Sequence, residues 1–356
     1  MKQLSYILIA ACLVSCVMLE PKVIDEDSPE SAAISFSVIW PEGVCLQDTV
    51  YVAMNAVNVF DSEEEPEKYG YRLNPQGEFY SKEGEEHIVK FGNYIFLACT
   101  CDNNAVKIDW PSNFISESDI PLENFSARLL NLSDDELSQL IPPGVKDFNT
   151  NVPYLHQPEA FCFALGKCQV SDTVANNFTL TLTSLVLNLN LNVSILTEEG
   201  VTLNEVVGEL SGIPSSISLF SGTVEQKEIG RVIFPMSPSS NTEGCNYSAS
   251  FNILGIFPPE SSGLYFGNGI LRLRVSASYG NETKYLYPAI NLYDLIVSAG
   301  LMSPALNGVG YKISKEKATL DIPNSLVIGK GSFSSEGESE GVDSWFDSEE
   351  TIEVEV

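Results

Sequence analysis

The stretch 178–195, FTLTLTSLVLNLNLNVSI, constrains the fold more than any other part of the sequence. Apolar and polar residues alternate along it, a period of two that is typical of a β-strand with one buried face. The apolar residues fall on even positions up to Leu182 and on odd positions from Leu185, so the buried face changes side between them. Either a β-bulge lies between Thr183 and Ser184, or the chain leaves one sheet there and enters another.

Similar alternating runs occur along most of the chain. They include ISFSVIW, VYVAMNAVNVF, GNYIFLACTCDNNAVKI and KATLDI. In GILRLRVSASY, the apolar residues share one face, and Arg272 and Arg274 fall on the other, where we expect them to be solvated. Only two short helices are predicted, one where Ser133 and Glu136 have capping-box spacing and one that ends at Gly300. Closely spaced strands with few helices predict an all-β fold of antiparallel sandwiches.

The chain has 356 residues, a length that is long for one domain and natural for two. We therefore predict two consecutive β-sandwich domains. The predicted divisions are a signal peptide (1–15), a tether (16–32), an N-terminal domain (33–170), a C-terminal domain (171–330) and an acidic tail (331–356).

The acidic tail ends in TIEVEV, which alternates strictly. In an extended strand Ile352, Val354 and Val356 would share one face, with the glutamates on the other. Such a strand has two plausible uses. It completes its own domain, or it acts as a donor strand that inserts into another subunit.

The N-terminus begins with Lys2 and an apolar run, YILIAACLVSC, which is too short to span a bilayer and has the length of a signal-peptide core. Its end, Leu13-Val14-Ser15-Cys16, resembles the bacterial lipobox. The resemblance implies cleavage between Ser15 and Cys16 and lipid attachment to Cys16. Cys12 fits no such frame, and the alternative is an ordinary cleaved signal that contains cysteine.

The formal net charge of −29 excludes nucleic acid as a partner, since binding it needs clustered lysine and arginine. His87 and His156 lie in no catalytic motif, so we predict no enzyme activity, no catalytic residues, no cofactor and no metal.

Two Trp-Pro pairs, at Trp40 and Trp110, are either platforms that stack against sugars or, more commonly, residues that cap a core at a strand end.

Six cysteines follow Cys16, and an exported chain permits disulfides. Six cysteines allow fifteen connectivities, and the spacings match no zinc pattern. Buried thiols are the simplest interpretation of most of them. Cys99 and Cys101 are poorly placed to pair with each other, because residues two apart in a strand share a face.

Three passages resemble the fimbrillin-type lipoproteins of Bacteroidetes, in particular the minor and anchor subunits of type V pili and related lipoproteins. They are ISFSVIWPEGV, FGNYIFLACTCDNNAVKI and the segment from LTSLVLNLNLNVSI to LNEVVGELSGIPSSISLFSG. The resemblance implies two transthyretin-like β-sandwich domains and assembly by donor-strand exchange. In stalk subunits of that family an arginine-specific protease removes the first strand. Here no arginine lies between Cys16 and the first strand, and the earliest is Arg72.

An uncut, lipidated chain is typical of an anchor or accessory subunit, held in the outer membrane by its N-terminal lipid and exposed on the cell surface, with fimbrillin subunits as partners. The alternative is a surface glycan-binding lipoprotein of an outer-membrane sugar importer. Two Asp-Thr-Val tripeptides, at Thr49 and Thr173, also resemble the O-glycosylation site of exported Bacteroidetes proteins.

Overall fold

The computed structural model describes residues 30–42, 49–57, 68–80, 86–100, 104–108, 125–141, 152–173, 175–239, 245–264, 266–306, 310–333 and 352–353. Ser15, Cys16, Val354 and Val356 lie outside these ranges.

The first half of the chain contributes the strands β1 (Ser31–Ala33), β2 (Ser35–Ile39), β3 (Val50–Ala56), β4 (Lys68–Leu73), β5 (Ile88–Lys90), β6 (Gly92–Thr100), β7 (Val106–Ile108), β8 (Ser126–Leu129) and β9 (Cys162–Val170). The middle contributes β10 (Asn177–Thr181), β11 (Thr183–Ser184), β12 (Leu187–Thr197), β13 (Val201–Pro214), β14 (Ser216–Ser218), β15 (Ile229–Pro235), β16 (Ser237–Pro238) and β17 (Cys245–Ile253). The last part contributes β18 (Ile270–Tyr279), β19 (Glu282–Leu286), β20 (Ala289–Asn291), β21 (Met302–Pro304), β22 (Tyr311–Ile313), β23 (Lys317–Ile328) and β24 (Ile352–Glu353). The helices are α1 (Asp134–Leu140) and α2 (Tyr293–Ala299), and a 3-10 turn spans Lys330–Phe333. The all-β prediction is confirmed.

The N-terminal part is built on a sheet in the order β11-β9-β6-β3-β4. The short pairs β1-β5 and β2-β10 contribute to the same buried apolar cluster as one face of this sheet. Phe36 from β2 and Leu180 from β10 lie in that cluster with Val52 and Tyr94 from the sheet. Burying these side chains stabilises the fold by roughly 1.5–3 kcal/mol for each large apolar residue.

The C-terminal part is a sandwich of two sheets. One has the order β16-β17-β12-β23-β24, and the other has the order β15-β13-β18-β19 with β20 also paired to β18. The odd-numbered residues of β12, from Leu187 to Ile195, are at most 1% exposed and face the second sheet within one core. On the opposite face Asn192 donates to Asp321 at 2.6 Å, so the alternation read from the sequence separates core from surface.

The change of phase after Leu182 is a change of sheet, and the bulge alternative is wrong. β10 pairs with β2, β11 pairs with β9, and β12 begins the C-terminal sandwich. Leu180 and Leu182 are buried in the N-terminal core, whereas Leu185 and Leu187 are buried in the C-terminal core. The one-residue shift therefore redirects the side chains from one core to the other.

The two parts are joined by shared structure. β7 and β8 form a three-stranded sheet with β14, which comes from the second half of the chain. Leu97 and Cys99, on the second face of the N-terminal sheet, belong to the same buried cluster as the C-terminal sandwich. Because β10 also returns to pair with β2, residue 170 does not mark a break between sheets, and the domain limits at that position stay a prediction.

Both predicted helices are present. Ser133 caps α1 by accepting from the Glu136 amide, and the Glu136 carboxylate accepts from the Ser133 amide, which completes the capping box. These hydrogen bonds hold the pKa of Glu136 below its ordinary value. Helix α2 ends at Gly300, which adopts a left-handed conformation with φ of 57°.

Candidate attachment and assembly sites

The N-terminal end of the described chain leads directly into paired strands. Ser31 in β1 lies opposite Lys90, and Phe36 in β2 lies opposite Phe178 in β10. The ring of Phe36 is 7% exposed and lies 6.0 Å from the ring of Phe178. Fourteen residues separate Cys16 from Ser31, so a chain attached to lipid at Cys16 would enter its first sheet after a short tether.

The C-terminal strand β24 pairs parallel with β23 of its own chain. Leu326 lies opposite Ile352 and Val327 lies opposite Glu353. These two pairs cover a small part of the twelve-residue strand β23, and in the described part of the chain β24 is the outermost strand of that sheet. The role of Ile352, Val354 and Val356 as a donor strand stays a prediction.

The prediction of solvated arginines on β18 is wrong for Arg274, which is 4% exposed. The face of β13, β15 and β18 that points away from the sandwich core is covered by residues 152–157 and by the segment around α1. The sequence signal that was missed is Glu209 in β13, because the register places it directly opposite Arg272 and two pairs away from Arg274, on the same face of the sheet. Arg272 is partly exposed.

Glu209 lies at the centre of a buried polar cluster. Its carboxylate accepts from Arg231 at 3.1 Å, from Arg274 at 2.9 Å and from the hydroxyl of Tyr154 at 2.7 Å. The guanidinium of Arg231 also lies 3.8 Å from the centroid of the Tyr154 ring. Burial, followed by the charge of Glu209, raises the pKa of the Tyr154 hydroxyl, so Tyr154 stays a neutral donor.

This cluster fixes a surface segment to the sheet. Arg231 donates from Nε to the carbonyl of Val152 at 3.0 Å, and the backbone of Leu155 donates to the carbonyl of Arg231 at 2.8 Å. Tyr154 then packs with Val207 and with apolar residues of α1. Arg274 Nη1 is buried and makes no hydrogen bond within the described ranges, and the bonds given above link the other groups to one another. The cluster fits a structural role in holding residues 152–157 against the sheet.

The predicted modification sites differ in accessibility. Thr173 is exposed, and its hydroxyl lies 3.2 Å from that of Ser171. Thr49 is half-buried and directly precedes Val50, which begins β3 and is fully buried. Both threonines remain predicted glycosylation sites, and Thr173 is the more accessible one.

Three of the cysteines are placed as thiols. Cys99 and Cys162 are buried, in different cores, and Cys168 is half-buried. Desolvation raises the pKa of the Cys168 thiol to about 11.

Trp40 packs against the N-terminal core and donates from Nε1 to the carbonyl of Pro75 at 2.8 Å, so it caps a core as the commoner interpretation predicted. Trp110 lies outside the described residues.

The two histidines lie in different parts of the structure. His156 lies 3.5 Å from the Glu136 carboxylate at the start of α1, and His87 packs against Phe79 in the N-terminal part. Within the ranges given above, no three histidine, cysteine, aspartate or glutamate side chains are grouped closely enough to hold a metal ion. Those same ranges contain no helix with the length and hydropathy needed to cross a bilayer.

Comparisons with known proteins give matches at the level of structure. The sequence matches no family model and no curated protein. It is similar in structure to a candidate adhesin from Bacteroides ovatus, with a TM-score of 0.49, 14% identity, and coverage of 86% of this chain and 95% of that one. It is also similar to candidate polysaccharide-binding proteins from Bacteroides thetaiotaomicron, with a TM-score of 0.41, 11% identity, and coverage of 83% and 92%. A third similar structure is the fimbrial anchor protein Mfa2 from Porphyromonas gingivalis, with a TM-score of 0.38, 12% identity, and coverage of 75% and 88%.

Proposed function

We propose that this protein is a lipid-anchored cell-surface lipoprotein that serves as an anchor or accessory subunit of a type V pilus. The observation that carries the proposal is at the N-terminus. The first strands are built into the N-terminal core through Phe36, and fourteen residues separate the lipobox cysteine, Cys16, from Ser31. A subunit whose first strand stays in place keeps its connection to the lipid, which is what an anchor requires.

The lipid is the first part to test. More than one acyl chain is needed for stable membrane anchoring, and triacylation of Cys16 would meet that need. Cys16→Ser is expected to abolish labelling by a palmitate analogue and to leave an uncut or soluble precursor. Cys12→Ser, in the same apolar run, is the matched control and should label normally. A Cys16→Ser protein that still labels and partitions into detergent would overturn the proposal.

Assembly is the second part. A strand added to the edge of a sheet is held by main-chain hydrogen bonds and by alternate side-chain pockets. β24 is a strand added to the edge of a sheet, and its two described residues pair with β23 of its own chain. We therefore propose that residues 351–356 insert into a fimbrillin subunit.

Deletion of residues 351–356 distinguishes a strand that inserts into another subunit from one that completes its own domain. If the strand acts in trans, the truncated protein should unfold at the same urea concentration as the full chain, while pili detach from cells. Glu355→Gln, which keeps the apolar alternation, is the control and should retain pili. If truncation instead lowers the unfolding midpoint markedly and pili stay attached, the strand belongs to its own domain.

The partner is tested by affinity purification of the tagged protein from intact cells. Fimbrillin subunits are expected to co-purify, and fewer of them with the truncated chain. Recovery of outer-membrane importer components in their place would reject the pilus role in favour of a glycan-importing lipoprotein.

A further inference from the structure

A pocket of about 420 Å³ lies on the N-terminal part, along the outer edge of β4. Consecutive residues of β4 line it, so both faces of the strand contribute. Its walls are unusually aromatic and are formed chiefly by Tyr69, Tyr71, Phe79, Tyr80 and His87. Its size lies within the range of pockets that bind small molecules.

The inner wall of the pocket is rigid because it is the outer layer of the N-terminal core. The rings of Phe79 and His87 stack with centroids 3.8 Å apart. Tyr71 meets both of them edge to face, at 5.2 Å from Phe79 and 5.6 Å from His87. Phe36 in the core lies 5.7 Å from Phe79, so these rings are held in place before any ligand arrives.

The outer rim presents an aromatic ring to solvent. Tyr80 is 57% exposed, and the guanidinium of Arg72 lies 5.9 Å from the centroid of its ring. The backbone of Tyr80 donates to the carbonyl of Arg72 at 2.9 Å, which fixes this residue beside β4. A large exposed aromatic side chain anchored in this way is well suited to stack against a ligand.

Polar groups are present at the same place. The carbonyl of Arg72 accepts from the Tyr80 amide, so the backbone groups of Arg72 point away from β3. In an antiparallel ladder this direction alternates from one residue to the next, so the amide and carbonyl of Gly70 also point away from β3. Exposed Arg72 and Glu86 add a charged donor and acceptor at the rim.

We propose that this pocket binds a pyranose ring of a neutral glycan. A pyranose has an apolar face of C–H groups and a rim of hydroxyl groups that both donate and accept. Tyr69 and Tyr80 supply aromatic surface for the first, and the Gly70 backbone, Arg72 and Glu86 supply polar groups for the second. The net charge of −29 disfavours a polyanionic ligand.

The test uses the full-length lipidated protein in detergent and three probes: methyl β-D-glucopyranoside, methyl β-D-galactopyranoside and methyl α-D-mannopyranoside. At least one of them, at about 10 mM, is expected to show saturation transfer from the protein in NMR, as a millimolar ligand does. Tyr80→Ala and His87→Ala should each weaken that binding about tenfold or more, and Tyr80→Trp should retain it. Tyr285→Ala, at a tyrosine that is 39% exposed on β19, is the matched control and should bind normally.

The proposal is overturned if none of the three glycosides shows transfer, or if transfer is unchanged in Tyr80→Ala. Since Tyr80 is at the surface, its variants keep the test valid even if His87→Ala unfolds. Transfer to a capped Val-Thr-Val-Thr-Val peptide but to no glycoside would identify the edge of β4 as a strand-docking site and would also reject the sugar. Neither result bears on the lipid anchor or on residues 351–356.

Discussion

Arg274 donates from Nη2 to Oε2 of Glu209 across 2.9 Å, and both side chains are 5% exposed or less. A second arginine, Arg231, shares the same carboxylate at 3.1 Å. Removing the carboxylate would leave two buried guanidinium groups without their anion. We therefore expect Glu209→Gln to lower the free energy of unfolding by about 3 kcal/mol.

The control is Glu282→Gln, since Glu282 is 49% exposed and lies 3.6 Å from Lys284 on the surface. That change should cost less than about 1 kcal/mol. Urea unfolding, with the slope of the transition unchanged, measures both. Equal effects of the two variants would mean that the buried cluster does not stabilise the fold.

Gly208 in β13 leaves room for the ring of Phe234, which stacks on Phe251 with centroids 4.1 Å apart. A Cβ atom at position 208 would overlap that ring. Gly208→Ala is expected to lower the free energy of unfolding by about 1–3 kcal/mol through overpacking. Gly263→Ala, where the added Cβ meets nothing within 4 Å, should be close to neutral, and a loss of the same size there would contradict the packing explanation.

Cys168 should react slowly with iodoacetamide at neutral pH, because burial raises its pKa to about 11 and the reagent needs the thiolate. Its labelling rate should rise with pH until about pH 11, and peptide mapping by mass spectrometry can follow it. Because the unfolded thiol ionises first, the same shift makes the free energy of unfolding fall as the pH rises from the ordinary thiol pKa to the folded value of about 11. Labelling at pH 8 as fast as in urea-unfolded protein would contradict the burial.

Thr173 is expected to carry a glycan in protein isolated from its native host. The Asp-Thr-Val tripeptide there is exposed, whereas the one at Thr49 starts a buried strand, so Thr173 should be the more fully occupied site. Intact-mass and peptide mass spectrometry would detect hexose at Thr173 and its loss in Thr173→Ala. The absence of added mass at both threonines in the native protein would contradict the prediction.

Local patterns in the sequence predicted the elements that depend on local physics. The alternation in β12 predicted which leucines are buried, and the spacing of Ser133 and Glu136 predicted the cap of α1. Gly300 marked the end of α2 in the same way. Each of these features is decided by neighbours within a few residues along the chain.

The features that sequence reasoning missed depend on partners far apart in the chain. Alternation showed that Arg274 faces away from the sandwich core, but it did not show that Tyr154, 120 residues earlier, covers that face. The pocket beside β4 is assembled from three separate segments, so His87 gave no signal as a lone histidine. Alternation in the sequence therefore predicted which side of a strand each residue occupies, but it did not predict which distant segment packs against that side.

The parallel pairing of β12 with β23 means that the C-terminal sandwich needs a late part of the chain before it can close. Asn192 meets Asp321 only after 129 further residues have been made, and Ser37 of β2 meets Thr179 of β10 only after 142. Contacts of such long sequence separation form slowly. A nascent chain that ends before Lys317 would leave β12 as an open edge with a row of apolar side chains, which is prone to aggregate. The β2–β10 pair therefore forms late, and the C-terminal sandwich cannot close until nearly the whole chain is available.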